Sequence, residues 1–412
     1  MMMGLLIALV WTFGALAAVG GIYWAIVAWR VRRDGANRPS LTEGLTGSLA
    51  QWPSVSVVVP AHNEEGHAPW LLRTLMTQEY SGRLEVIFVA DRCTDGTLAA
   101  LERVKHECAG AGSRVTVMLI DNHECPADWA GKCNAAHQGA LRATGERLLF
   151  TDADATFESG AVRAAVKLMG DRQLELLSVL STVSVRHLFE AVVQPVAALH
   201  LMKLYPIARV NDPVDPMPFA NGQFMLFTRE AYESIGGHHS VKDALLEDIA
   251  FARRVVRVRK GRAGLFLSGG LVRVQMYETY AQFREGWRRI FIEACHRNPR
   301  RLRRYGVECM LLGSGLFAAA IISSLAGVAG WAHGNAGLAV GGIGCGLAAL
   351  LVQQLTLWRI FELVGVPRAA ALAYPYASFA VARIHWRAAK DLRLGKPVVW
   401  GGRSYVLETT SN

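Results

Sequence analysis

Long uncharged stretches bracket a central region of this chain in which short apolar runs are punctuated by polar residues. Gly4 to Trp29 carries no charged side chain, and Arg30, Arg32 and Arg33 follow at once. About 20 apolar residues cross a bilayer, so this stretch predicts a transmembrane helix, and the arginines assign residue 30 onward to the cytoplasm. Ala15-Leu16-Ala17 resembles a cleavage site. No basic region precedes it and the apolar run continues past it, which favours an uncleaved anchor over a signal peptide. Leu311 to Trp331 and Ala336 to Trp358 are again uncharged, with His333-Gly334-Asn335 between them as a hairpin. Ala369 to Ala382 is shorter, contains Pro375 and has basic residues at both ends, a pattern open to crossing, re-entry or an interfacial position.

From Ser54 to about Tyr280 the period changes. Val55-Ser56-Val57-Val58-Val59, Glu85 to Ala90, Arg114 to Ile120 and Arg147 to Thr151 read as buried strands, with helical patterns over Thr97 to Cys108 and Cys133 to Ala143. Such alternation predicts an α/β fold, a parallel-rich sheet covered by helices on both faces. The expected organisation is an anchor over 1–30, a linker over 31–53, a cytoplasmic domain over 54–287, a basic amphipathic interfacial helix over 288–306, transmembrane or re-entrant segments over 307–384 and a basic cytoplasmic tail over 385–412.

Composition sharpens this. Mean hydropathy is +0.22 and only 19% of residues are charged, too apolar for an ordinary soluble enzyme of 412 residues. The net charge of +10 invites a nucleic-acid reading, but no zinc-finger spacing, RNP-like motif or basic zipper accompanies it. The arginines instead gather beside apolar segments, as at an anionic membrane surface. Seven scattered cysteines form no framework and fit reduced thiols facing the cytoplasm.

The chemistry sits where strands end. Leu148-Leu149-Phe150-Thr151 delivers Asp152 and Asp154, two carboxylates that share a face if the segment stays extended. Oxygen ligands at the carboxyl end of a parallel sheet suit a hard cation, Mg²⁺ or Mn²⁺, which would also take phosphate oxygens. The other strands end in Pro60-Ala61-His62-Asn63-Glu64-Glu65, in Asp91-Arg92-Cys93-Thr94-Asp95-Gly96-Thr97 and, after a short loop, in Trp129-Ala130-Gly131-Lys132. Gly-x-Gly-x-x-Gly after the first strand and a Walker A sequence are both absent, against dinucleotide and ATPase readings. The scattered His123, Cys125, Cys133 and His137 match no common zinc spacing.

VSVVVPAHNEE, VADRCTDGT, the Gly-Lys pair and TDADA resemble the donor-binding half of a family 2 glycosyltransferase with the GT-A fold. FANGQFMLFTREAYESIGGH and LLEDIAFARRV resemble its acceptor half, and VRVQMYETYAQFREGW with the closing WGGRSY is similar to membrane members linked to hopanoid and carotenoid pathways. The resemblance implies a donor pocket formed by Pro60, His62, Glu64, Asp91, Lys132 and Asp152, with Asp154 and Asp152 as metal ligands. It implies Asp248, paired with Glu247, as general base, and Asn221, Gly222 and Gln223 beside the reacting sugar. Trp287 stands near the place of the Gln-x-x-Arg-Trp motif of polymer synthases, but glycine precedes it. The expected activity is therefore an inverting, metal-dependent transfer of one sugar from a nucleotide sugar, UDP-linked by resemblance, to a hopanoid, carotenoid or polyprenyl lipid. A processive polysaccharide synthase and a non-catalytic nucleotide-sugar-binding or transport protein are the alternatives.

Overall fold

The computed structural model describes residues 2–33, 38–109, 115–400 and 403–410. Twelve strands appear among them: β1 Val55–Ala61, β2 Leu84–Asp91, β3 Thr116–Asn122, β4 Arg147–Thr151, β5 Ala155–Phe157, β6 Leu176–Leu180, β7 Thr182–Val183, β8 Phe224–Thr228, β9 Ala263–Leu267, β10 Val272–Val274, β11 Val398–Trp400 and β12 Arg403–Tyr405. The helices are α1 Met2–Arg33, α2 Ala68–Met76, α3 Thr97–Ala109, α4 Gly131–Arg142, α5 Ala161–Asp171, α6 Leu188–Val192, α7 Gln194–Leu204, α8 Ile207–Val210, α9 Arg229–Ser234 and α10 Glu247–Arg253. Beyond the sheet follow α11 Tyr280–Ala294, α12 Pro299–Met310, α13 Leu316–Ala332, α14 Ala336–Leu363 and α15 Tyr374–Arg393.

The expected α/β architecture is present. Seven strands form one sheet in the order β3-β2-β1-β4-β8-β6-β9. β8 alone runs antiparallel, to both β4 and β6. The continuous apolar run of β1 is explained by burial on both faces: α2 and α5 cover one side, α4, α9 and α10 the other. β1, β2 and β4 are mutually parallel, so their carboxyl ends open on one edge. A small sheet, β5-β10-β7, continues directly from Asp154.

Among the described residues, four helical stretches are long and apolar enough to cross a membrane: Met2–Arg33, Leu188–Val210, Pro299–Ala332 and Ala336–Leu363. α1, α13 and α14 pack together, with the Ser323 hydroxyl donating to the Gly342 carbonyl at 3.1 Å. The sequence pattern differs from the structure in several places. Residues 288–306, expected as one basic interfacial helix, divide between α11 and α12, because Asn298 caps a new helix opened by Pro299. Arg288 is buried against Glu285 and Asp391, while Arg300, Arg301, Arg303 and Arg304 are exposed. The boundary expected at 384/385 lies inside α15. There Pro375 occupies the first turn, where its missing N–H has no helical partner to lose, and α15 packs on α7, α11 and α12. Within the expected linker, Leu41–Leu45 forms a turn capped by Ser40 and Glu43 that packs on α5. Arg114, read as the start of the third strand, lies outside the described residues.

Candidate active site

Four segments far apart in sequence meet over the end of β4. Lys132, in the first turn of α4, places its Nζ 2.7 Å from Asp152 Oδ1 and 2.6 Å from Glu247 Oε1. Burial alone would favour the neutral amine. Asp152 and Glu247 reverse that, holding the ammonium above the ordinary lysine range. The neighbouring Asp248 accepts hydrogen bonds from the Gly222 N–H at 2.8 Å and from its own helix, the Ile249 N–H, at 2.7 Å. Gly222 lets the backbone come close: a Cβ there would stand 3.2 Å from Lys132 Nζ and 3.3 Å from both Asp248 Oδ2 and Glu247 Oε1.

The turn carrying Gly222 is fixed from below. Asn221 donates its side-chain amide to the Val179 carbonyl at 2.8 Å and its backbone N–H to Ser178 Oγ at 2.8 Å. Thr151, the last residue of β4, donates its hydroxyl to the Gln223 carbonyl at 2.7 Å. Two strand ends are thereby locked together, and the clustered charged groups rest on rigid elements. Burial, then the Glu247 charge, push the Asp248 carboxyl up to about 7, the range in which a carboxylate works as a base near neutral pH.

Asp154 lies beside this cluster. Burial, then Asp152 and Glu64, raise its carboxyl well above the usual range, and its Oδ1 is buried without a hydrogen-bond partner. An unpartnered carboxylate oxygen next to a second carboxylate fits a divalent cation. Among the described residues, no group of three or more His, Cys, Asp or Glu is arranged to hold a metal, so the remaining ligands would come from phosphate and water. Cys133, dismissed above as a zinc ligand, turns its thiol to the Ala244 carbonyl, and His137 packs on Trp129.

The remaining donor-side residues line the same edge with different partners. His62 Nδ1 is 2.7 Å from the Asp91 carbonyl, and Glu64 meets His67 at 3.1 Å. Pro60, the penultimate residue of β1, is paired with Val89. Asp91 is buried, with Oδ2 held by Arg92 at 2.5 Å and Oδ1 by the Asn122 amide at 2.7 Å. Its carboxylate thus orders the loop. Trp287 stands apart from the charged cluster, on α11 between Phe283 and Phe291.

Sequence reading assigned Arg289 to the basic interfacial helix and not to the site. Its Nε and Nη1 are buried without a hydrogen-bond partner, and its guanidinium lies 4.3 Å over the Trp400 ring. Tyr277 is within electrostatic reach of Arg289, Asp154 and Asp152 alike. The glycine before Trp287 has its reason here too, since a Cβ on Gly286 would stand 2.3 Å from the Tyr277 hydroxyl. Arg403 secures the tail by donating to the carbonyls of Cys125, Pro126 and Trp129 at 2.6, 3.0 and 2.9 Å. The C-terminal strands therefore tie α11 to the loop that launches Lys132. Gly401 and Gly402 of the WGGRSY stretch lie outside the described residues.

A model of Glycosyl transferase family 21 matches residues 12–403. The chain belongs to that family. Membership agrees with the membrane-anchored glycosyltransferase resemblance read from the motifs, under a different family number. Among curated proteins it is similar to the 4,4'-diaponeurosporenoate glycosyltransferase of Staphylococcus aureus strain MRSA252, 26% identical over 245 residues, 57% of this chain and 60% of that protein. The protein of the same name from strain USA300 is 25% identical over 244 residues. The match thus spans about 60% of the length of these relatives. Among solved structures it is similar to a mannosyltransferase from Pyrobaculum calidifontis in complex with GDP-Man and Mn²⁺, at 19% identity over 90% of this chain and 99% of that one, TM-score 0.46. It is also similar to residues 1–349 of S. aureus TarS in complex with UDP-GlcNAc, at 14% identity over 87% and 97%, TM-score 0.39.

Proposed function

We propose that this glycosyl transferase family 21 protein transfers one sugar from a nucleotide sugar to a membrane lipid, with inversion at the anomeric carbon, on the cytoplasmic side of the inner membrane. The observation that carries the reading is Asp248: a half-buried carboxylate, oriented by two backbone N–H groups, beside the Lys132–Asp152–Glu247 cluster. In the reaction the acceptor hydroxyl loses its proton to Asp248 as its oxygen bonds to the anomeric carbon. The bond from that carbon to the diphosphate oxygen breaks on the opposite face, and the electron pair leaves with the nucleoside diphosphate. Attack and departure from opposite sides give inversion.

Lys132 meets the developing negative charge as a compact cation, and Arg289 supplies a second, unpaired one. Asp154 and Asp152 would hold a divalent ion, whose contribution is to neutralise the leaving diphosphate. Pro60, His62, Glu64 and Asp91 border the nucleotide, and Asn221, Gly222 and Gln223 border the sugar. UDP is the favoured nucleotide, on motif resemblance. A lipid acceptor is supported by the apolar helices at both ends and by relatives named for 4,4'-diaponeurosporenoate.

The test is nucleotide release across a panel of nucleotide sugars, with lipid extracts as acceptors and mass spectrometry of the product. A singly glycosylated lipid is expected, with activity lost in chelator and in Asp154→Ala. Long polymeric products would overturn single transfer. Donor binding without turnover, unchanged in Asp248→Asn, would overturn the enzyme reading.

A further inference from the structure

α12 and α15 lie antiparallel along one another. Ser314, just past α12, donates its hydroxyl to the Pro375 carbonyl at 2.6 Å, and the Cys309 thiol faces the Ser378 carbonyl at 3.4 Å. Gly306 leaves room for the Trp386 indole, whose Nε1 would stand 2.5 Å from a Cβ there. The basic start of α12 is thereby laid beside the basic end of α15. Between them lies a groove of about 610 Å³, lined by apolar Val307, Trp386 and Leu394 and by the cations Arg303, Lys390 and Arg393. Val307 and Leu394 are 43 and 60% exposed.

This charge is not balanced within the chain. α12 and α15 carry only two acids, Glu308 and Asp391. Glu308 is taken by Lys203, and Asp391 by Arg288, Arg387 and Lys396. Among the described residues no carboxylate is left to pair with Arg303, Lys390 or Arg393. Arg300 and Arg301, exposed in the first turn of α12, add positive charge where the helix dipole is already positive. Like charges so gathered repel one another, and an anion between them relieves both costs.

Position along the chain assigns that anion to a lipid. The uncharged run continuing from α12 begins at Leu311. At about 1.5 Å per residue, Val307 stands about 6 Å and Arg303 about 12 Å before it. A headgroup layer adds roughly 5–7 Å to each side of the hydrocarbon core, so the groove opens within that layer and ends just beyond it. Basic side chains beside an indole at this level match the boundary between bilayer and water. A soluble anion would use the cations and leave Val307, Trp386 and Leu394 bare. A phospholipid uses both halves of the groove.

We infer that the groove between α12 and α15 binds an anionic phospholipid, with its phosphate among Arg303, Lys390 and Arg393 and its first chain carbons on Val307, Trp386 and Leu394. The inference rests on Pro299–Ala332 crossing the membrane and needs no transferase activity. For the test, the full-length protein is placed in phosphatidylcholine nanodiscs with a trace of phosphatidylglycerol carrying a diazirine near the head of one acyl chain. Labelled peptides are expected in α12 and the C-terminal half of α15. Unlabelled phosphatidylglycerol should displace the label about tenfold better than phosphatidylethanolamine of the same chains.

Arg303→Gln combined with Lys390→Gln and Arg393→Gln should bring that ratio close to one. Arg303→Lys combined with Lys390→Arg and Arg393→Lys alters the same positions and keeps the charge, so it should retain the preference and serves as the check on folding. Arg103→Gln with Arg142→Gln, exposed on α3 and α4, should leave the ratio unchanged and excludes a mere effect of net charge. Equal displacement by the two lipids, label confined to α1, α13 and α14, or a preference that survives the triple glutamine variant would each overturn the inference. So would displacement by glycerol 3-phosphate, which would assign the cations to a soluble phosphate.

Discussion

The sheet edge and the helical wall beside it both bury polar side chains, and they treat them in opposite ways. At the centre of the edge the charged groups answer one another, while Asp154 Oδ1 beside them has no hydrogen-bond partner. Lys132 bridges Asp152 and Glu247, and Asp248 takes two backbone N–H groups. On the wall, Gln194 Oε1 and the indole nitrogens of Trp24 and Trp287 answer nothing. A closed network holds its geometry before the substrate arrives and costs no reorganisation during reaction. An open one retains its hydrogen-bonding capacity for an incoming molecule. The difference is one between a network complete in itself and a set of groups left open.

The contrast is sharpest at Asp248. Asp248→Asn keeps the shape and removes the base, so turnover should fall about 10²–10⁴-fold while donor affinity, followed by calorimetry, is retained. A loss of donor binding in parallel would return Asp248 to a structural role. Next comes Lys132→Met, which strands two carboxylates. Breaking one side of a buried ion pair costs about 3–5 kcal/mol, and denaturant unfolding of the detergent-solubilised protein should show a loss of that order. A loss under 1 kcal/mol would mean that Asp152 and Glu247 relax to solvent.

The pH dependence follows from the carboxyl that burial and Glu247 push up to about 7. Because Asp248 must be ionised to act, kcat should rise with pH and reach half its plateau near 7. The sign for stability is opposite. From about pH 4, where an unfolded aspartate ionises, up to 7, the folded chain binds the extra proton, so stability falls as pH rises. A flat kcat profile between pH 6 and 8 would break the link between burial and basicity.

Arg289→Ala removes a cation whose Nε and Nη1 are buried without a hydrogen-bond partner. Its expected effect is a KM for donor raised about tenfold, the scale of one charge-assisted hydrogen bond, with a small change in kcat. The smallest effect carries the opposite sign. Gln194→Leu replaces an unanswered polar group with an apolar one, and should raise unfolding stability by about 1 kcal/mol. Destabilisation by that change would show that the wall is satisfied as it stands, and the contrast between the regions would disappear.

Much of the edge was legible because its logic is local. A strand that ends in Asp-Ala-Asp must present both carboxylates where the chain leaves the sheet, whatever packs elsewhere. The spans were legible for a similar reason, since a long uncharged run has few places to go. The antiparallel course of β8 was not, because FMLFT reads as a buried strand in either direction. Nor was the division of 288–306 into two helices read from the basic pattern, although Asn298-Pro299 carries the signal for it.

The amino-acid sequence by itself determined the element types, the anchoring helices and the set of groups able to do chemistry at the sheet edge, because period, charge and strand ends are properties of neighbours along the chain. Tertiary structure alone decided which of those groups are paired. Lys132 meets Asp152 and Glu247 across 20 and 115 residues of chain, and whether Arg289, Gln194 or Trp287 has a partner depends on what folds against it. Hydrogen bonding is settled by proximity in space, and a linear pattern records only proximity in sequence.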